Sequence, residues 1–558
     1  MLIPFLKQTT REHKWKIIPF MALTTILPPV EVAIVGIIYL ILDSSIIYYL
    51  QYVWGFLVES TPLNLSIQRT ILFFIALFAI FIWFFARKIR MRLQAITRLN
   101  IIRSHRHLLV NLYLDLPGST QIHEPNDQIQ NSVIQLAQST GVFFMSIILL
   151  LSSFLGIIIL GIAALYTSWI VTLIAMALGA FTIWLNKRNL ATFKNIGAIQ
   201  TETYEKILVH ISQIVRGFTL IKIDGLKHVF TKKMEHSIQQ DWDWRVKRQL
   251  DTENIQSVSD AFGLSSILII VFISMLIEPL SAVSLIPLVL LFNRLRNYLT
   301  NFQTSLALAR EHYYPAQTVL QITSDLMDKQ TPNLDALQSV NKIKMSNVHF
   351  KYESKAILKD INLSLNEGDK VLISGQSGEG KSTLLKIITG FYMPSSGQVS
   401  YNDFQGNSHY LDFSSIAKQT FYSSNDLFIP DTTLRDFIDP YHNHSSKDIL
   451  SSLQKACLTD IVSKPKELDI SLGDDASNLS AGQRQKLLLS RIFMRQPSLV
   501  VLDESTSNLD IENENEILSN IMNHISNKSI LIMTAHKIPN IPVFNAEYTI
   551  TKGTIFNE

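Results

Sequence analysis

Six long apolar segments alternate with polar stretches in the N-terminal part of the chain. A helix that crosses a membrane needs ~20 residues, so the shorter segments must extend into their flanks. The segments are Ile17–Leu42, Ile71–Ala86, Gly141–Tyr166, Trp169–Leu185, Phe262–Ile277 and Ala282–Leu295. Only Thr167-Ser168 separates the third segment from the fourth, which predicts a helical hairpin. Only residues 278–281 separate the fifth from the sixth.

Basic residues lie on one side of these predicted spans. The connection from the second to the third segment carries Arg87, Lys88, Arg90, Arg92, Arg98, Arg103 and Arg106. The connection from the fourth to the fifth includes Lys187, Arg188, Lys194, Arg216, Lys222, Lys227, Lys232, Lys233, Arg245, Lys247 and Arg248. Since Lys and Arg favour cytoplasmic loops, both termini and both long connections are predicted to be cytoplasmic. The connections are long enough to continue the spanning helices into the cytosol.

Two short stretches in these connections and one acidic residue in the first span stand out. Leu114–Gly118 and Ile214–Lys222 each have the pattern of a corner between two helices. Glu31 follows Pro28-Pro29 near the middle of the first segment. A carboxylate at membrane depth either contacts a substrate or an ion, or lies at a wet interface where the prolines kink the helix. The sequence leaves both alternatives open.

The pattern changes at Ile343, after a linker-like stretch. Short strands are predicted at Lys344–Phe350, Asn362–Leu365 and Lys370–Ile373. The third runs into G-x-x-x-x-G-K-S at Gly375–Ser382, and a helical pattern follows, which is the context of a phosphate-binding P-loop. Its glycines let backbone N–H groups face the phosphates, while Lys381 reaches the β- and γ-phosphates and Ser382 binds Mg²⁺.

A buried strand further along, Ser498–Leu502, ends in two carboxylates. Asp503 at the strand end suits a Mg²⁺ shell, and Glu504 suits a general base that polarises the attacking water. Together with the P-loop, this acidic pair predicts nucleotide hydrolysis. The domain boundaries predicted from these patterns are a membrane domain at 1–325, a linker at 326–341 and an ATP-binding domain at 342–558.

Between the P-loop and the acidic pair, the sequence Leu479-Ser480-Ala481-Gly482-Gln483 differs by one residue from the LSGGQ signature of the ABC transporter family. Other motifs of that family follow in order: Ser507–Asp510 resembles its D-loop, and His536 in Thr-Ala-His-Lys resembles its switch histidine. Tyr352 resembles the aromatic residue that stacks on adenine. The membrane part is similar to the exporter-type fold of the same family, so the resemblance covers nearly the whole chain.

The resemblance implies a fold, a site and a partner. The fold is an α-helical exporter-type membrane domain of six spans joined to an α/β P-loop ATPase domain, with the two corners acting as coupling helices. Implied catalytic residues are Glu504 and His536, and implied metal ligands are Ser382 and Asp503. Implied nucleotide-binding residues are Tyr352, Gly375, Ser377, Gly378, Gly380, Lys381, Ser382, Thr383, Ser480, Gly482, Gln483 and Asp510.

A second chain is implied as well. In this family, ATP bound by the P-loop of one ATPase domain is also bound by the signature residues of the facing domain, so two chains are needed. Because Glu504 and His536 are both present, a homodimer is favoured over pairing with a degenerate, related half-transporter. ATP and Mg²⁺ are the implied ligands, and membrane lipids are expected neighbours.

One family feature is displaced. The glutamine of the Q-loop should lie just before Asp426, where the sequence has Ser423-Ser424, and Gln419 lies several residues earlier. Either Gln419 serves in a rebuilt loop, or the contact from this loop to Mg²⁺ and water is altered.

Composition narrows the class of protein further. Hydrophobic residues make up 47% and charged residues 17% of the 558 residues, and the formal net charge of +3 gives no indication of a nucleic-acid partner. The single cysteine, Cys457, excludes an intrachain disulfide and a cysteine-built metal site. The charged start and the long first run predict no cleavable signal peptide, and no protease-like domain is expected before the first span.

These observations predict an integral, multi-pass membrane protein of the bacterial inner membrane, with its ATPase domain in the cytoplasm. The favoured function is ATP-driven export of an amphipathic or peptide-like substrate. A lipid flippase or an importer of the same fold is an alternative, as is an ATP-gated membrane protein that does not pump. The identity of the substrate does not follow from the sequence.

Overall fold

The computed structural model describes residues 14–42, 65–116, 131–276, 282–329, 339–352, 355–402, 408–409, 416–424, 428–462, 464–535 and 544–557. The chain divides into two compact units. One contains the long helices, which end at Asp328, and the other contains the strands that begin at Lys342. Each unit is described by itself.

Long helices make up the first unit. They are α1 (Lys14–Leu42), α2 (Leu65–Leu114), α3 (Ala137–Thr167, preceded by a π-helical turn), α4 (Trp169–Arg216), the short α5 (Phe218–Ile223), α6 (Lys227–Leu276) and α7 (Ala282–Asp328). The helix α2 has 50 residues, so it is about 75 Å long at 1.5 Å per residue. This length confirms that the helices continue well beyond a bilayer. The predicted hairpin is confirmed too, since Ser168 alone separates α3 from α4.

Within the described ranges, five helices are long and apolar enough to cross a membrane: α1, α2, α3, α4 and α6. The predicted count of six spans is therefore not reproduced by length and composition. The sixth predicted segment begins α7, where Arg294 and Arg296 follow only about three turns of apolar sequence. The predicted connection at 278–281 lies outside the described residues.

The second predicted corner is a break between helices. Helix α4 ends at Arg216, Gly217 leaves the helical conformation, and the six-residue α5 precedes the start of α6. The first predicted corner, Leu114–Gly118, is described only as far as Leu116. The assignment of either corner as a coupling helix stays a prediction.

Helices α4 and α7 approach each other closely at Gly197. A Cβ atom added to Gly197 would lie 1.9 Å from the backbone oxygen of Glu311, so only glycine fits at this crossing. Polar pairs also join the helices of this unit: Asn186 donates to Gln303 at 2.8 Å, and Arg248 bonds to the buried Glu311 at 2.7 Å. These contacts fix which faces of the helices meet.

Two sheets form the second unit. An antiparallel sheet has the order β2-β1-β4-β5, from β1 (Lys342–Tyr352), β2 (Lys355–Asn366), β4 (Ser396–Asn402) and β5 (Ser408–His409). A mostly parallel sheet has the order β10-β9-β3-β8-β7-β6, from β3 (Lys370–Ser374), β6 (Thr420–Ser424), β7 (Leu499–Asp503), β8 (Ile530–Thr534), β9 (Ala546–Thr551) and β10 (Thr554–Asn557). The predicted α/β class is confirmed.

The carboxyl ends of the parallel strands, which carry polar residues, lie together at one edge of the sheet. Strand β7 is fully buried along its length, as expected for a central parallel strand covered on both faces. Ser424 of β6 and Thr534 of β8 both lie opposite Asp503 in the register. The helices of this unit are α8 (Lys381–Ile388), α9 (Leu434–Ile438), α10 (Ser446–Lys455), α11 (Ala481–Ser490) and α12 (Ile511–His524).

Candidate nucleotide-binding site

The predicted P-loop joins the carboxyl end of β3 to the start of α8. Gly375, Gly378 and Gly380 have φ angles of +145°, +85° and +101°, a region that favours glycine. At Gly375 a Cβ atom would also lie 2.6 Å from the backbone oxygen of Ile550. Gly380 is the N-cap of α8, so the free N–H groups of that helix face the space at the strand edge.

The side chain of Lys381 is buried beneath this loop. Its Nζ donates to the backbone oxygens of Gly375 at 2.8 Å and Gln376 at 3.1 Å, and it lies 3.7 Å from Oε1 of Glu504. The ammonium group is thus held at the loop by two carbonyl oxygens and one carboxylate. Phosphate oxygens can replace these carbonyl acceptors with stronger, charge-assisted hydrogen bonds.

Asp503 lies at the centre of the strand edge and is 4% exposed. Its Oδ1 accepts hydrogen bonds from Ser382 Oγ at 3.1 Å and Thr534 Oγ1 at 2.9 Å. Its Oδ2 accepts one from the hydroxyl of Tyr422 at 3.1 Å. The two predicted metal ligands, Ser382 and Asp503, are therefore in contact. A hydroxyl beside a carboxylate is a set of hard oxygen donors, which suits Mg²⁺ completed by substrate phosphates and water.

Glu504 follows Asp503 with its backbone in the left-handed region, at φ +50°. The residue is held there because its N–H bonds to the backbone oxygen and the hydroxyl of Thr534. Its side chain is 31% exposed, which leaves the carboxylate accessible to water. A partly exposed carboxylate beside a P-loop lysine has the chemistry of a general base.

Tyr352 lies at the end of β1, beside the P-loop helix. Its hydroxyl is 3.3 Å from Oγ1 of Thr383, and its ring packs edge-on against Phe350 and Tyr392. The structure therefore brings Tyr352 to the same side of the domain as the P-loop.

The signature residues begin α11, where Ser480 is the N-cap. Ser480 Oγ accepts from the Gln483 N–H at 3.2 Å, and Gln483 Oε1 accepts from the Ser480 N–H at 2.9 Å, which is a capping box. Gln483 also donates to Asp460 at 3.0 Å. Among the described residues, the side chains of Ser480 and Gln483 bond to each other's backbone and to Asp460, and neither bonds to the P-loop. A Cβ atom on Gly482 would lie 3.1 Å from the backbone oxygen of Asn508.

Gln485 of α11 anchors the predicted D-loop, which follows Glu504. The buried Gln485 side chain donates to Ser507 Oγ at 3.2 Å and accepts from the Asn508 N–H at 2.9 Å. Asp510 caps α12 and accepts from the Asn513 N–H at 3.2 Å. Hydrogen bonds from Asn513 lower the pKa of Asp510 below its ordinary value.

In the described part of the chain, neither candidate for the displaced glutamine forms a side-chain hydrogen bond with Ser382 or Asp503. Gln419 precedes β6, about 16 Å along the strand from the end that faces Asp503. Ser423 is buried, and its hydroxyl has no hydrogen-bond partner among the described residues. Tyr422 contacts Asp503 in this region instead. His536 lies outside the described residues.

Sequence reasoning missed Tyr422, Thr534 and Gln485. Tyr422 and Thr534 both lie at carboxyl ends of strands, and a search for polar residues at the ends of buried strands would have found them. Gln485 comes two residues after the signature pattern, and nothing in the sequence pairs it with Asn508.

The fold and the site define a P-loop nucleotide-binding domain in a chain that also carries long apolar helices. Residues 358–507 match the family model described as ABC transporter. The structure also matches that of a bacterial Atm1-family ABC exporter with ATP bound, with a TM-score of 0.74 and 16% identity over 97% of this chain and 94% of the other. At that identity the match shows the fold.

The curated proteins that this chain resembles are named as transport proteins. The microcin-J25 export ATP-binding/permease protein of Escherichia coli is 32% identical over 40% of this chain. The ATP-dependent lipid A-core flippase 2 of Colwellia psychrerythraea is 25% identical over 66% of this chain and 64% of its own length. The chain matches only 39% of the length of the E. coli relative. Residues 358–507 therefore match the ABC transporter family, and the chain as a whole has the fold of an ABC exporter.

Proposed function

We propose that this protein hydrolyses ATP to drive the movement of an amphipathic or peptide-like substrate across a membrane, in the direction of export. The observation that supports this most directly is the meeting of Lys381, Ser382, Asp503 and Glu504 at one sheet edge, in a chain that also carries long apolar helices. An E. coli relative is named for export of microcin J25 and another relative as a lipid A-core flippase, so both peptides and lipids are substrate candidates.

Each residue of the site has a proposed role. The P-loop N–H groups and Lys381 bind the phosphates of ATP, and Ser382 and Asp503 hold Mg²⁺, which neutralises charge on the phosphates when bound. Glu504 accepts a proton from the attacking water, and the resemblance to the family's switch histidine supports an assisting role for His536. Tyr352 stacks on the adenine. Ser377, Gly378 and Thr383 complete the phosphate loop.

The signature residues are proposed to act in a second copy of the chain. Ser480, Gly482 and Gln483 lie at the N-terminus of α11, which is suited to bind a γ-phosphate presented by a facing domain. Asp510 belongs to the loop beside it. Because Glu504 provides a general base in each chain, we favour a homodimer in the bacterial inner membrane, with the ATPase domains in the cytoplasm.

A cavity in the helical unit suits an apolar substrate or the apolar part of one. It has a volume of about 500 Å³ and lies between α3, α4, α6 and α7. Phe154, Met176, Phe262 and Phe302 are among the side chains that line it. An apolar wall of this kind binds acyl chains or apolar peptide side chains without selecting one of them.

The test is the ATPase activity of the purified protein in lipid at saturating Mg-ATP, with the wild type beside Glu504→Gln. We expect steady hydrolysis in the wild type and its loss in the variant, since the amide cannot accept the proton. ATP binding must persist in the variant. Wild-type protein that binds ATP without hydrolysing it would contradict the proposal.

Substrate movement in vesicles that contain Glu504→Gln distinguishes a pump from a gated channel. A pump that lacks its base stops moving substrate, whereas a gate stays open longer. Export and import differ in the side from which a substrate stimulates hydrolysis.

A further inference from the structure

Glu31 is a buried carboxylate in the helical unit. It is 8% exposed, and its Oε1 accepts a hydrogen bond of 3.0 Å from the indole N–H of Trp83. Its Oε2 is buried without a hydrogen bond of ordinary geometry among the described residues, although the hydroxyl of Tyr298 on α7 lies close enough to interact with this carboxylate. Glu31 is also the only acidic residue in the sequences of α1, α2 and α3. A carboxylate in such surroundings is costly unless cations or donors compensate it.

The ring of Trp83 contacts two arginines. The guanidinium groups of Arg87, one turn along α2, and Arg294 of α7 are both 5.2 Å from the Trp83 ring. This distance is typical of cation–π contacts. Arg294 also lies 3.9 Å from Oε1 of Glu31. One tryptophan thus connects the carboxylate of α1 to cations from two other helices.

Positive charge exceeds negative charge in this cluster. Arg90 of α2 is close enough to interact with the charge of Glu31, and its Nε is buried without a partner among the described residues. The cluster therefore contains three guanidinium groups and one carboxylate: Arg294 and Arg90 lie near Glu31, and Arg87 contacts the Trp83 ring. By contrast, Arg296, two residues beyond Arg294, has a carboxylate of its own in Asp260 at 2.9 Å.

The depth of the cluster indicates where its ligand comes from. Trp83 and Arg87 lie where the apolar segment of α2, Ile71–Ala86, gives way to its basic part. Tryptophan and arginine are typical of the boundary between acyl chains and headgroups. At this level the membrane itself supplies anions, the phosphate groups of its lipids, and headgroup hydroxyls can donate to Oε2 of Glu31.

We propose that the cluster of Glu31, Trp83, Arg87, Arg90 and Arg294 binds the phosphate headgroup of an anionic phospholipid. The three guanidinium groups contact the phosphate, and Oε2 of Glu31 accepts a hydrogen bond from a headgroup hydroxyl. Glu31 also positions Trp83 and Arg294. This binding is independent of the transport proposed above, because it requires neither ATP nor a particular substrate.

The test uses the full chain in nanodiscs of phosphatidylcholine to which brominated phosphatidylglycerol is added. Bromine quenches tryptophan fluorescence, and the difference between the wild type and Trp83→Phe isolates the signal of Trp83 among the seven tryptophans. We expect brominated phosphatidylglycerol to quench Trp83 at a lower mole fraction than brominated phosphatidylcholine does. Since a basic residue near the membrane strengthens binding of anionic lipid roughly fivefold, Arg294→Gln should reduce the preference by about that factor.

The matched control is Arg296→Gln, which removes an arginine already paired with Asp260 and should keep the preference. If Arg294→Gln does not fold, Arg87→Gln tests the same contact from an exposed position. Equal quenching by the two lipids, or a preference that survives both Arg294→Gln and Arg87→Gln, would overturn the proposal. Reversal of the quenching by millimolar inorganic phosphate would show a site for a soluble anion and would likewise overturn the assignment to a lipid.

Discussion

The hydroxyl of Tyr422 donates a hydrogen bond to Oδ2 of Asp503, the carboxylate proposed to bind Mg²⁺. Because Ser382 and Thr534 bond to Oδ1, hydroxyl groups hold both oxygens of this buried acid. Burial, together with the charge of Asp503, raises the pKa of Tyr422 above its ordinary value. Tyr422 therefore remains a protonated donor throughout the neutral range.

Replacing Tyr422 by Phe should destabilise the protein more without nucleotide than with it. In the absence of ligand, Oδ2 loses its donor, which costs about 1–3 kcal/mol for a buried acceptor. Bound Mg-ATP compensates the carboxylate, so the loss should shrink. Thermal unfolding with and without Mg-ATP measures the difference. Tyr401→Phe is the control, since its hydroxyl bonds only to helix carbonyls and its loss should be the same in both conditions.

Replacing Lys381 by Met should weaken ATP binding about 10- to 100-fold, because a charge-assisted hydrogen bond contributes ~1.5–3 kcal/mol. Equilibrium binding of a fluorescent ATP analogue provides the measurement. Lys455→Met is the control, because that ammonium contacts Phe493 and not the loop. Unchanged affinity in Lys381→Met would place the phosphates elsewhere.

Replacing Gln485 by Ala should lower the turnover rate roughly tenfold, which corresponds to about 1.4 kcal/mol, without changing ATP affinity. The side chain anchors Ser507 and Asn508, which follow Glu504, so its loss should misplace the base and not the phosphates. Rates and affinities measured on the same preparation separate the two effects. Gln454→Ala, at an exposed position of α10, should change neither. A fall in affinity as large as the fall in rate would contradict this role.

The membrane part of the fold was predictable because its signals, the length of each apolar segment and the position of the basic residues, can be read from short stretches of sequence. The hairpin at Thr167-Ser168 and the break at Gly217 were visible in the sequence for the same reason. The predicted count of six spans was not reproduced, because Ala282–Leu295 is short, contains Arg294 and is followed directly by Arg296. The partners of Glu31 were not predictable, since Trp83 and Arg294 are distant along the chain.

The residues of the candidate site also fall into two groups: those that a local sequence pattern predicts, and those that depend on contacts between distant segments. Lys381, Ser382 and Asp503 were predictable because the P-loop and a strand-end acid form local patterns. Tyr422 was not, because its contact with Asp503 depends on which strands become neighbours. The capping role of Gln483 is local and could have been identified from its spacing to Ser480.

Replacing Gly197 by Ala should destabilise the helical unit by about 1–3 kcal/mol, the usual cost of forcing an extra group into a packed contact. The added methyl group would collide with the backbone oxygen of Glu311, which cannot rotate away. Gly161→Ala is the control, since nothing lies within 4 Å of its added Cβ. Thermal unfolding in one detergent compares the two variants. Equal stability would show that α4 and α7 separate at no cost.

Replacing Glu504 by Gly should give a more stable protein than replacing it by Ala, by about 1 kcal/mol. Both variants lack the carboxylate, but the left-handed φ of +50° costs alanine energy that glycine does not lose. The difference in thermal stability between the two inactive variants measures the cost of the left-handed backbone conformation at this position. If alanine is tolerated as well as glycine, the backbone at this position relaxes out of the left-handed region.

At position 504 the backbone conformation favours glycine, whereas the proposed hydrolysis requires the carboxylate of a glutamate. Selection for stability alone would favour glycine there, and one nucleotide change in a glutamate codon is enough to produce it. A gene that no longer needed hydrolysis would therefore gain stability by the mutation that abolishes activity. As long as glutamate persists at this position in a lineage, its presence records selection for turnover and not for folding.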